Sequence, residues 1–69
     1  MAEKLGNSLK TAREALGLTQ AALAERVGVS RKTVNTVENG VFVPSTLLAL
    51  KLAAALGQPV ERLFRIERG

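Results

Sequence analysis

The chain has 69 residues, enough for one domain, and it lacks cysteine and histidine, which excludes disulfide bonds and the common zinc ligand sets. Hydrophobic residues make up 46% of the sequence and aromatic residues only 3%, so the core must be aliphatic, and the many Ala and Leu residues favour helices. The net charge of +4 permits an anionic partner, of which nucleic acid is the simplest.

The first predicted helix covers residues 7–16. Leu9, Ala12 and Leu16 repeat at a spacing that puts them on one helical face. Asn7 is a residue type that caps helix N-termini well, so we expect the helix to begin there.

Two further helices are predicted over 19–27 and 30–39, each opening on a good N-cap, Thr19 and Ser30. Only residues 28–30 separate them. A connection this short forces a sharp corner between two short helices, which is the helix-turn-helix geometry.

The fourth predicted helix covers 46–56 and follows a break at Pro44 and a cap at Ser45. It is apolar nearly all round, which indicates burial on more than one side and, in so small a chain, a contact with a second subunit. A short fifth helix is predicted to open at Pro59, and the tail 65–69 either frays or adds an extended strand at a dimer seam. The expected fold class is therefore all-α, a compact bundle of five short helices.

The third helix should present a polar outer face. Val34 and Val37 lie three residues apart and point inward, so the opposite side faces out. That outer side carries Arg31, Lys32, Asn35, Thr36 and Asn39.

These side chains have the chemistry of base recognition. Arg and Lys suit guanine O6 and N7, Asn suits adenine N6 and N7, and a Thr methyl can meet a thymine methyl. An ordinary solvated face is the simplest alternative for the cations Arg31 and Lys32. We favour DNA contact because the inward valines fix the direction of these two cations, and because Thr and Asn lower helix propensity without helping stability.

The stretch QAALAERVGVSRKTVNTVENG, from Gln20 to Gly40, resembles the phage repressor and Cro type of helix-turn-helix, also called XRE-like. Gln20 stands at the start of the second helix, Ala24 where the helices cross, and Gly28 at the turn. The likeness continues into NSLKTAREALGLTQ upstream and PSTLLALKLAAALGQPVERLF downstream, and is strongest to stand-alone bacterial regulators. It implies a lambda repressor-like fold with one DNA-binding domain over 1–69, its motif over 19–39, and its last two helices over 45–65.

The resemblance also implies roles for individual residues. Contacts to base edges are implied for Arg31, Lys32, Asn35 and Thr36. Contacts to phosphates are implied for Gln20, Ser30, Thr33 and Asn39, with Ser30 also serving as a cap. A structural ion pair between the first and third helices is implied for Arg13 and Glu38.

Two features depart from the family pattern. Many relatives place a cation just after Gly40, whereas this chain has Val41, followed by Phe42 and Val43. Leu47 stands where a polar residue is more usual, which suggests an apolar patch for a second subunit. The residues assigned to this dimer surface are Leu47, Leu50, Leu63, Phe64 and Ile66.

We therefore expect a cytoplasmic, homodimeric regulator, most simply a repressor, that binds a near-palindromic site on double-stranded DNA. No signal peptide or membrane span is visible, and no cofactor, metal or small-molecule ligand is expected. The alternative is an antitoxin or another protein-interaction module that uses the apolar face of the last two helices. Catalysis is not expected, because the only carboxyl side chains are six scattered Glu residues.

Overall fold

A computed structural model describes residues 3–68 and contains five helices and two strands. Their order along the chain is β1 (Glu3–Asn7), α1 (Leu9–Ala15), α2 (Gln20–Val27), α3 (Arg31–Glu38), α4 (Thr46–Leu56), α5 (Val60–Leu63) and β2 (Phe64–Arg68). Met1, Ala2 and Gly69, which belong to the predicted domain and tail, lie outside the described residues. None of the helices described is long and apolar enough to cross a membrane.

The two strands correct the all-α prediction. β1 and β2 pair antiparallel, with Glu3 opposite Arg68 and Asn7 opposite Phe64. The pairing continues past the strands, since the Ser8 N–H donates to the Leu63 carbonyl at 2.8 Å. The tail therefore forms a strand, as one of the two expectations allowed, and within the chain it pairs with the N-terminal strand.

The pairing of β1 also shifts the start of α1. Asn7 is extended within the strand, so the helix begins at Leu9, two residues later than predicted. The Asn7 side chain still stabilises the start of the helix, because its Oδ1 accepts a hydrogen bond from the Leu9 N–H at 3.1 Å. Its Nδ2 donates to the Val37 carbonyl at 3.0 Å and so ties this corner to the end of α3.

The other helices begin at the caps that the sequence indicated. The hydroxyl groups of Thr19, Ser30 and Ser45 accept from backbone N–H groups in the first turns of α2, α3 and α4. Between α2 and α3, Gly28 adopts a φ of 77°, a left-handed conformation that costs glycine little and allows the corner. Local side-chain chemistry thus sets the helix-turn-helix geometry.

The core is aliphatic apart from Phe64 and draws on every helix. Its buried hydrophobic residues are Leu9, Ala12, Leu23, Ala24, Val27, Val34, Val37, Leu48, Leu52, Ala53, Leu56, Leu63 and Phe64. Leu63 is fully buried, which corrects its assignment to the dimer surface, and Phe64 is 8% exposed. The α5–β2 junction turns both side chains inward, and only Leu47, Leu50 and Ile66 of the assigned set remain exposed.

Candidate nucleic-acid interface

Helix α3 is anchored on one side and open on the other. Val34 and Val37 are 1% and 2% exposed and belong to the core. Arg31, Lys32 and Asn35 are exposed, as expected for residues on the opposite side of an eight-residue helix. The fold therefore holds α3 firmly while leaving its outer side open to a partner.

The two cations in the first turn of α3 are available to an anionic partner. Within residues 3–68, neither Arg31 nor Lys32 takes part in an ion pair with a carboxylate. The Glu38 carboxylate at the other end of α3 is neutralised by Arg13. The exposed charge of α2 and α3 is consequently positive, with three cations against the single exposed carboxylate of Glu25.

The hydroxyl groups on α3 are already used within the helix. The Ser30 and Thr33 hydroxyls lie 2.9 Å apart, and Ser30 Oγ also accepts from the Thr33 N–H at 3.2 Å. Thr36 Oγ1 donates to the Thr33 carbonyl at 3.0 Å. Because that hydroxyl hydrogen is committed, Thr36 can offer DNA its methyl group or an oxygen acceptor, but not a donor.

Arg13 and Glu38 form a bidentate ion pair between α1 and the end of α3. Arg13 Nε donates to Glu38 Oε2 at 2.7 Å, and Nη2 donates to Oε1 at 3.2 Å. The two side chains are only 9% and 2% exposed, and Arg13 Nη1 also donates to the Leu18 carbonyl at 2.8 Å. Hydrogen bonding to Glu38 raises the pKa of Arg13 despite the opposing effect of burial, so the guanidinium stays charged.

The buried carboxylate is also the start of a polar chain that reaches the surface. Gln20 Nε2 donates to Glu38 Oε1 at 3.0 Å, and Asn35 Nδ2 donates to Gln20 Oε1 at 3.5 Å. Asn39 Nδ2 donates in turn to Asn35 Oδ1 at 3.2 Å. We call the connected residues Glu38, Gln20, Asn35 and Asn39 the amide relay.

The sequence did not indicate the relay. It placed Gln20, Asn35 and Asn39 individually on a DNA-binding face, and the structure links the three in a chain in which Gln20 contacts the carboxylate. The only available signal was the presence of residue types that both donate and accept at the start of α2 and along α3. Such a signal identifies candidate hydrogen-bonding residues but does not show which side chains are in contact.

The segment that follows α3 in the chain is apolar. Val41, Phe42, Val43 and Leu47 are 77%, 47%, 68% and 63% exposed, and we call them the apolar shoulder. The backbone N–H groups of Val41 and Phe42 both donate to the Thr36 carbonyl, at 2.9 and 3.2 Å, and so fix the start of the shoulder against α3. Phe42 is therefore only partly packed against the rest of the protein.

An apolar groove lies between the sheet and α4 and shares Val43 with the apolar shoulder. Its lining residues are Leu5, Val43, Pro44, Thr46, Ala49, Leu50, Val60 and Phe64. Leu50 is 54% exposed at this groove, while Leu47 borders a different depression that runs between α4 and the start of α3. The exposed leucines of α4 thus belong to two surfaces.

Comparisons with known proteins agree with this architecture. A family model described as Helix-turn-helix matches residues 9–63. The uncharacterized HTH-type transcriptional regulator YgzD of Bacillus subtilis is 44% identical over 61 residues, which cover 88% of this chain and 92% of that protein. The crystal structure of the restriction-modification controller protein C.AhdI from Aeromonas hydrophila superposes with a TM-score of 0.75 at 39% identity, covering 78% of this chain and 82% of that one.

A relative with a different description is the antitoxin HigA-1 of Vibrio cholerae. It is 44% identical over 54 residues, which cover 78% of this chain but only 50% of that protein. The region of similarity again contains the helix-turn-helix. From the family model, the similarity to YgzD over most of both chains and the matching fold, the chain belongs to the helix-turn-helix family of the phage repressor and Cro type.

Proposed function

We propose that this protein is a transcriptional regulator that binds a specific sequence of double-stranded DNA with α3 in the major groove. The observation that carries the proposal is the two-sided character of α3. Val34 and Val37 fix one side in the core, and the first turn on the other side offers two cations without carboxylate partners among residues 3–68. Helices of this motif enter the major groove with their N-terminal residues, where such cations reach base edges and phosphates.

The roles of single residues follow from their geometry. Arg31 and Lys32 are able to contact guanine or phosphate, since no carboxylate in the described part of the chain, 3–68, pairs with them. Thr36 contributes its methyl group or an oxygen acceptor. Gln20 keeps one amide N–H free, beside the open backbone N–H groups of the first turn of α2, and this combination suits a phosphate.

The remaining phosphate contacts that we propose lie at the two ends of α3. The hydroxyl groups of Ser30 and Thr33 are hydrogen-bonded to each other at the start of the helix. Their oxygen atoms and the backbone of this turn lie near the surface. Asn39 retains its second amide N–H after donating to Asn35. These contacts would fix the register of the protein on DNA, while the base contacts supply specificity.

We further propose that the active form is a homodimer. A chain of this length buries a small core, and an apolar groove beside an exposed leucine is a surface that a second copy would cover. In a symmetric dimer the two α3 helices would meet half-sites about 34 Å apart on one face of the duplex. Repression is the outcome we expect, because a bound dimer excludes other proteins from the same stretch of DNA.

A test of the dimer surface compares two substitutions on α4. Leu50→Glu places a charge in the groove and should lower the apparent mass in sedimentation from that of a dimer to that of a monomer. Ala54→Glu adds the same charge at an exposed position of α4 outside the groove and should leave the mass unchanged. Equal behaviour of the two variants would place the interface elsewhere.

Antitoxin activity is the second candidate function. It is favoured by the similarity to HigA-1 and by the apolar shoulder, which offers a protein partner more than it offers a phosphate. The two functions predict different behaviour of the isolated protein. A DNA-binding regulator selects a sequence unaided, whereas a module that only holds a partner protein does not.

The experiment that tests the proposed function is selection of bound duplexes from a randomised DNA pool with purified protein. We expect enrichment of an inverted repeat whose half-sites are one helical turn apart. An absence of any enriched sequence, with weak binding that depends only on salt, would overturn the proposal and favour the protein-partner function.

A further inference from the structure

The outer edge of β2 carries backbone groups that β1 does not use. The hydrogen bond from the Ser8 N–H to the Leu63 carbonyl joins two directly opposite residues, and along an antiparallel ladder such bonded pairs alternate with unbonded pairs. Counted from this bonded pair, Phe64, Ile66 and Arg68 belong to unbonded pairs, so their backbone N–H and C=O groups point away from β1. An edge of this kind is a template for pairing with another strand.

Ile66 lies at the centre of this edge and is open on it. Its side chain is 64% exposed, and within residues 3–68 its backbone N–H and carbonyl have no hydrogen-bond partner. The Phe64 N–H is already used, because it donates to the Val60 carbonyl in α5. β1 differs, since Val43 lines the depressions on both sides of it and the α3–α4 loop therefore runs alongside. Of the two edges, that of β2 is the more open to another chain.

The charges on β2 select one register for pairing with the β2 strand of a second copy. Two identical antiparallel strands are related by a two-fold axis, which has to pass near the middle of the strand if most residues are to pair. An axis at Arg65 or at Glu67 places like charges directly opposite each other, which is destabilising. An axis at Ile66 instead places Arg65 of each copy opposite Glu67 of the other.

We infer that the β2 edge is a self-association surface on which a second copy of this chain pairs antiparallel about an axis at Ile66. The two sheets then form one sheet of four strands. The Ile66 N–H of each copy donates to the Ile66 carbonyl of the other, and each Arg68 N–H donates to the Phe64 carbonyl of the other. The inference rests on the proposed homodimer and names a second element of its interface.

This seam is continuous with the apolar groove. Ile66 lies opposite Leu5 and two residues from Phe64, so the three side chains are on one face of the sheet. Leu5 and Phe64 line the groove, and Ile66 extends that apolar surface to the edge of the sheet. In such a dimer the apolar surface supplies buried area, while the backbone bonds and the charge pairs fix the register.

One test removes the backbone donor at the axis. Ile66→Pro lacks the N–H that points to the seam, and the ladder with β1 keeps its bonds because that N–H faces away from β1. Ile66→Val is the matched control, since it loses a similar amount of apolar surface but keeps the N–H. Sedimentation over a concentration series should give a dimer Kd for Ile66→Pro at least about tenfold above that of Ile66→Val. Equal Kd values in two folded variants would overturn the inference.

A charge exchange tests the register. Arg65→Glu places like charges opposite each other across the seam and should raise the dimer Kd by about fivefold at low salt. Adding Glu67→Arg restores opposite charges and should return the Kd towards the wild-type value. Both variants lack the hydrogen bond from Arg65 to Ser8, so its loss does not account for a recovery. A double variant that dimerises as weakly as Arg65→Glu would overturn the assignment.

The most direct observation is an NMR experiment on an equal mixture of isotope-labelled and unlabelled protein. In this register Arg65 and Glu67 of the other copy form an unbonded pair, in which the two Cα atoms approach most closely. We therefore expect an intermolecular NOE between the Hα atoms of Arg65 and Glu67. A dimer that lacks this NOE would overturn the inference and leave the homodimer to the groove alone. A protein that stays monomeric at all concentrations would refute the proposed homodimer, and the inference with it.

Discussion

The two flanks of α3 differ in how they are held and in what they offer. On the α2 side, the amide relay connects the surface to a buried ion pair, and every link is a hydrogen bond between side chains. On the α4 side, the apolar shoulder is fixed by two backbone hydrogen bonds to Thr36 and carries no charge. The same helix therefore has one polar, preorganised flank and one apolar flank.

This difference indicates where the binding energy for DNA arises. The polar flank can approach phosphates with amide groups whose orientation is already set, so little ordering is required on binding. The shoulder adds no phosphate contact through charge, which leaves Arg31 and Lys32 as the main cationic contribution of the motif. We therefore expect an affinity with a modest dependence on salt.

The largest expected effect comes from breaking the polar flank at its buried origin. Glu38→Ala leaves the Arg13 guanidinium buried without its partner, which should lower the free energy of unfolding by about 3–5 kcal/mol. Urea denaturation measures this loss. The exposed pair between Glu3 and Arg68 provides the control, because Glu3→Ala should change the stability by less than about 1 kcal/mol. Equal losses in the two variants would show that burial of the Arg13–Glu38 pair does not increase its contribution to the free energy of unfolding.

A smaller effect is expected from removing a cation at the start of α3, between the two flanks. Arg31→Ala should weaken binding to the selected duplex by roughly 1–3 kcal/mol and relax the preference at one base pair. Fluorescence anisotropy with labelled duplexes measures both quantities. Arg62→Ala removes an equal charge from α5 and should change binding far less. An Arg31→Ala protein with unchanged affinity and preference would remove this residue from the interface.

The smallest expected effect comes from supplying the shoulder with the charge it lacks. Val41→Lys should strengthen DNA binding and steepen the dependence of log K on log salt by about 1 for each subunit. Val41 is 77% exposed, so the exchange should leave the fold intact. The matched control Val41→Gln adds a polar group without charge and should keep the wild-type slope. Identical slopes for all three proteins would mean that the shoulder does not face DNA.

What the sequence predicts well is local. Thr19, Ser30 and Ser45 are caps because each hydroxyl meets a backbone N–H a few residues away, and a pattern of residue types contains that information. The turn at Gly28 and the inward valines of α3 are recognisable for the same reason. The helix-turn-helix was therefore predictable almost to the residue.

What the sequence does not predict depends on distant contacts. EKLGN has no strand pattern, and the apolar–polar alternation of FRIER is too short to decide between a strand and a frayed tail. The two segments form strands because the fold brings the two ends of the chain together. The inward turn of Leu63 and Phe64 follows from that pairing and was missed with it. The contact between Gln20 and Glu38 likewise joins residues from two helices, and residue spacing does not reveal it.

The most direct test of the central claim is an NMR titration of ¹⁵N-labelled protein with the selected duplex. If the exposed side of α3 binds DNA, the largest changes in amide shifts should fall on residues 30–36 and on the first turn of α2, together with the side-chain amides of the relay. The β-sheet and α5 should change little apart from the effects of slower tumbling. Changes confined to the sheet, α4 and α5, with α3 unaffected, would contradict the account.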